Sequence, residues 1–116
     1  MNGKKMDRYQ QILGLLGTQV ERIVDREQYI QNVRCFLQGQ DFIKLGHCIQ
    51  GKQWNLVMSN SNRLKMHCEE LGITCFDMQL RGIRDAARRR DVNEALQIMS
   101  TITAKRVRIR NLLAEE

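Results

Sequence analysis

Residues 61–72 read SNRLKMHCEELG, and their spacing is helical. Leu64, Cys68 and Leu71 share one face, while Asn62, Lys65, Met66 and Glu69 fall on or beside the other. Gly72 closes the run as a residue of left-handed backbone commonly closes a helix. Upstream, Trp54, Val57 and Ser61 carry the same inward face, so the spacing predicts one helix over 53–71.

The pattern continues in both directions. Thr74-Cys75-Phe76-Asp77 reads as a capping box, with Asp in place of the usual Glu. It predicts a helix over 74–90 with Phe76, Leu80, Ile83 and Ala87 inward. Asp91-Val92-Asn93-Glu94 is a similar start, predicting a last helix over 91–113. Its apolar positions are Val92, Ala95, Leu96, Met99, Ile102, Val107, Ile109 and Leu113. Toward the N-terminus, Phe42, Leu45, Cys48 and Ile49 mark a short helix between Gly39 and Gly51. Asp25-Arg26-Glu27-Gln28 caps a helix carrying Tyr29, Val33, Phe36 and Leu37. Ile12, Leu15, Leu16, Val20, Ile23 and Val24 extend helical spacing through 7–24.

Composition agrees with an all-α fold. The chain has 116 residues, no proline, eight glycines and only 5% aromatics, so helix breakers and strand formers are both scarce. Hydrophobic residues at 42% are too many for a disordered chain. The length fits one domain, 1–116, and short connections imply antiparallel neighbours. The expectation is an antiparallel up-down four-helix bundle over 25–113, with an additional N-terminal helix over 1–24.

No apolar run approaches a membrane span, and no apolar signal region follows the first lysines, so an intracellular, cytoplasmic location is expected. There, Cys35, Cys48, Cys68 and Cys75 are expected as reduced thiols. His47-Cys48 and His67-Cys68 look like ligand pairs, but adjacent helical residues point about 100° apart. Cys35, Cys48 and Cys68 sit at apolar-periodic positions and read as small buried hydrophobes, so no metal or other cofactor is expected. The net charge of +6 permits an acidic partner. The richest basic runs, RRR at 88–90 and KRVRIR at 105–110, read first as solvated helix faces.

Over residues 25–113 the chain resembles the histidine-containing phosphotransfer (HPt) domains of two-component phosphorelays. Ser61-Asn62-Arg63-Leu64-Lys65-Met66 matches the family's small-His-x-Leu-Lys-Gly signature, and Gly72 lies ten residues after Asn62, as a glycine follows the family histidine. Trp54 lies eight residues before Asn62, where a Gly-Asp-Trp-like turn is common. AARRRD, ending at Asp91, is in ungapped register with the family's later helix end. REQYIQNVRCFL, 26–37, is similar to its early helix, with a Tyr and a closing Phe-Leu pair.

Two departures bear on chemistry. Asn62 stands where the family has its phosphoaccepting histidine, and an amide cannot accept a phosphoryl group as imidazole nitrogen does. Met66 replaces the glycine that leaves room for the partner's active site. The resemblance therefore implies a degenerate signalling module, not an enzyme, that binds a response-regulator receiver or a sensor kinase without accepting phosphate. Met58, Asn62 and Met66 form a stripe, with Lys65 and Glu69 nearby, and Lys65 matches the family's phosphate-holding lysine. With Arg63, these six residues are the candidate partner-binding set; Arg81, Arg84 and Arg88 would widen the positive field.

Two rivals stay open. GHCIQG, 46–51, locally copies the signature, so His47 could accept phosphate, though this would displace Trp54 and Asp91 from register; its plain reading is a partly buried helix histidine. His67, turned about 140° from Asn62, is a second possible acceptor. A basic helical nucleic-acid binder is the rival from another class, but the arginines spread over two helices without an aromatic stacking platform. Oligomeric state stays open.

Overall fold

The computed structural model describes residues 7–115. Among them are six α-helices and one 3-10 turn, with no strand: α1 (Arg8–Leu16), the turn Val20–Arg22, α2 (Arg26–Gln38), α3 (Gln40–Gln50), α4 (Trp54–Leu71), α5 (Asp77–Arg89) and α6 (Val92–Ala114). The fold is all-α, and no described helix is long and apolar enough to cross a membrane. Neighbouring pairs α3–α4, α4–α5 and α5–α6 pack together, and α3 also meets α6, which closes a ring. Helix α1 lies on α6, and α2 touches both α6 and α4.

Local chemistry explains most boundaries. The carboxylates of Asp25 and Asp91 accept from the amides of Gln28 and Glu94, both at 3.1 Å, so two of the expected caps form. Gly72 adopts φ 70°. Its amide reaches Glu69 O, and that of Ile73 reaches Cys68 O at 2.8 Å, satisfying carbonyls at the end of α4. Gly39 has ordinary φ, but a β-carbon there would sit 3.3 Å from the carbonyl oxygens of Cys35 and Phe36, so it provides room where α2 turns into α3. Gly82 allows α5 to approach α6, because an added β-carbon would lie 3.0 Å from Ile98.

The inward face of α4 is as its spacing predicts: Val57, Ser61, Leu64 and Cys68 are buried, and Trp54 is half-buried. The Ser61 hydroxyl donates back to Val57 O, which satisfies a polar group in the core. Phe36, Phe42 and Phe76 meet edge-on, with centroids 5.2 Å and 5.5 Å apart along the series, and join α2, α3 and the entry to α5.

Four expectations are corrected. The helix expected over 7–24 ends at Leu16, because Gly17 turns left-handed at φ 73°. Val20 and Val24 are consequently exposed; residues 1–6 lie outside the described set. Thr74 does not cap a helix. Its hydroxyl donates to Gly17 O at 3.0 Å, and the amides of Thr74 and Cys75 both reach Leu16 O, so α5 starts only at Asp77. Val107 is exposed, whereas Arg106 is buried. Positions 95, 99, 102, 106, 109 and 113 keep strict three-four spacing, and this places Arg106 on the inward stripe. Cys35 is exposed rather than buried, while Cys48 and Cys68 are buried as expected.

The buried Arg106 is held without a carboxylate. It donates to Leu37 O near the end of α2, and its guanidinium stacks 4.3 Å from the Phe42 ring centre. Arg34 of α2 returns the contact, donating to Leu113 O near the end of α6 at 2.9 Å. Each arginine thus meets the negative end of the other's helix. Burial, with a contribution from Arg110, lowers the Arg106 pKa from the usual guanidinium range.

Candidate partner-docking face

Asn62 lies mid-way along α4 and is exposed. Met58 is half-buried against the core one turn before it, and Met66 stands 60% exposed one turn after. Lys65 is half-buried, and among the described residues no side-chain hydrogen bond or ion pair involves its ammonium. Glu69 continues the stripe and is exposed. The helix therefore brings Met58, Asn62, Lys65, Met66 and Glu69 onto one flank, a small polar centre between two thioethers.

That flank faces α5. The Arg84 guanidinium donates to Asn62 Oδ1 at 3.1 Å, so the amide is held in place by a neighbouring helix. Arg88 of α5 is paired with Asp85 at 2.8 Å, whereas Arg81 is exposed. Positive charge beside Asn62 thus comes from Arg84, with Lys65 one turn along α4.

Arg63 does not belong to this group. It lies 4.0 Å from Asp41 of α3, on the opposite flank of α4 from Arg84. One residue along a helix turns about 100°, which is enough to send Asn62 and Arg63 to different neighbours. His67 is on the Arg63 side, with Nδ1 3.9 Å from Asp41 Oδ2 and its ring 6.0 Å from Phe36. His47, in the last turn of α3, is exposed rather than partly buried, and it lies on a different helix from Asn62. The direct Arg84–Asn62 contact was invisible in the sequence, because spacing along one helix does not show which residue of the next helix will face it.

The thiols have separate environments. Burial is the largest cause raising Cys68, to about 12, and Cys75, to about 11. Near neutral pH both are held as weakly reactive thiols. Among the described residues, no group of three or more His, Cys, Asp or Glu side chains could hold a metal ion. Under native conditions a maleimide should modify Cys35 first, with Cys68 and Cys75 at least tenfold slower, as mass spectrometry of timed digests would show. Equal native rates at Cys35 and Cys68 would contradict this burial pattern.

Comparison with family models, curated proteins and solved structures finds no match to the chain.

Proposed function

We propose that the chain is an HPt-like signalling module without a phosphoacceptor, which binds a response-regulator receiver or sensor kinase in the cytoplasm. In this reading α3, α4, α5 and α6 form the antiparallel up-down four-helix bundle, with α1 and α2 added to it. The observation that carries the reading is the α4 flank. A non-nucleophilic amide occupies the centre of an exposed face, braced by Arg84 and bordered by Met66. Apolar methionine surface on either side of a small polar centre, with charged residues nearby, suits a protein partner, and Lys65 and Arg84 suit the acidic pocket of a receiver.

The reading has two testable parts. Incubation with a phosphorylated receiver or an active kinase should leave the chain unlabelled. Acid-labile, base-stable label on His47 or His67 would instead establish phosphotransfer through that histidine. Met66→Glu places a carboxylate on the docking face, and receiver affinity should fall about tenfold or more, the range of a central interface residue. Calorimetric titration measures this change. Unaltered affinity would remove the α4 flank from the interface.

A further inference from the structure

A cleft of about 620 Å3 opens between α2 and the last turns of α6, away from the Asn62 flank. Arg34, Gln38, Arg110 and Asn111 supply its polar lining, and Val107 and Leu113 contribute apolar surface. No acidic residue lines it. Arg34 uses Nη2 on Leu113 O, leaving other guanidinium N–H groups for a ligand. Among the described residues, no side-chain hydrogen bond or ion pair involves the Arg110 guanidinium. The nearby carboxylate of Glu115 is engaged by Arg8 at 3.1 Å.

A third guanidinium stands beside the cleft. Arg106 is one turn before Arg110 and bonds Leu37 O, the carbonyl next to Gln38. Its buried Nε has no hydrogen-bond partner. Three guanidinium groups are therefore gathered at the α2–α6 junction without a described carboxylate paired to any of them. A bound anion would supply the missing counter-charge. Arginine forks match the oxygens of phosphate and carboxylate, and the amides of Gln38 and Asn111 can donate further bonds. The cleft volume falls in the range of small-ligand sites, and the Val107–Leu113 surface favours an organic body over a bare ion.

We propose that this cleft binds a small organic anion, holding its phosphate or carboxylate between Arg34 and Arg110 and its body against Val107 and Leu113. The test is NMR titration of the full chain with phenyl phosphate, benzoate and inorganic phosphate at constant ionic strength. The side-chain amide of Gln38 provides the readout specific to the cleft, and that of Asn111, which also borders the neighbouring groove, a supporting one. At least one organic probe should give saturable shifts there, and the tighter probe identifies the preferred anionic group. Arg110→Gln should weaken it about tenfold or more, as expected for loss of a charge-assisted contact. Arg108→Gln removes an equal charge from the neighbouring groove beside Gln11 and Leu15, which shares only Asn111 with the cleft, and should change affinity less than twofold. No saturable shift with either organic probe would overturn the proposal. So would equal weakening by both substitutions, or inorganic phosphate binding as tightly as phenyl phosphate.

Discussion

Asn62→His alone should gain little or no phosphoryl transfer from a cognate phosphorylated receiver, whereas Asn62→His combined with Met66→Gly should transfer clearly faster, by about 100-fold. The substitution places an imidazole at the matched position, and Lys65 and Arg84 already bring positive charge to it. What remains in the way is Met66, 60% exposed one turn from residue 62. In-line phosphoryl transfer depends mainly on positioning and charge stabilisation, and a misplacement of about 1 Å can cost on the order of 100-fold. On the proposed docking, a methionine projecting from the face would hold the receiver off by at least that much. Met66→Gly removes the obstruction at a helix-propensity cost of about 1 kcal/mol. Transfer from a labelled receiver to wild type, both single variants and the double variant separates the terms. A single Asn62→His variant as fast as the double would show that Met66 does not obstruct close approach.

The second large effect is on stability. Arg106→Ala should cost about 2–4 kcal/mol, combining a buried carbonyl left without its donor, lost contact with Phe42 and a new cavity. Arg106→Met should cost less, about 1 kcal/mol, because its long side chain refills the space and the burial of an unpaired charge disappears. Urea unfolding of the two variants measures the order. Both variants leave Leu37 O without its donor, so if Arg106→Ala were no less stable than Arg106→Met, packing of the long side chain would not be what holds residue 106 inside.

Features governed by a few neighbouring residues were legible before the structure. The inward face of α4, the caps at Asp25 and Asp91, the break at Gly39 and the left-handed Gly72 depend on spacing and local backbone chemistry. The errors came from contacts between distant segments. Helix α1 stops where Thr74, 57 residues away, binds Gly17. The same engagement removes Thr74 from the capping role its sequence suggested. Arg106 is inward because Leu37 O and the Phe42 ring receive its guanidinium, and a polarity pattern favours Val107 there. At the candidate site, the stripe of Met58, Asn62, Lys65 and Met66 was legible from helical spacing. Its bracing by Arg84 and the assignment of Arg63 to the Asp41 flank depended on which helix packs on each side.

The central claim is that the α4 flank binds a receiver or kinase while Asn62 prevents phosphate acceptance. Its most direct test is NMR titration of the isotope-labelled chain with a phosphorylated receiver from the same signalling system, recording side-chain and phosphorus signals together. The account predicts saturable shifts at Asn62 and the methyl groups of Met58 and Met66, with no phosphohistidine signal. A phosphohistidine resonance, or saturable shifts that leave Met58, Asn62 and Met66 unchanged, would contradict it.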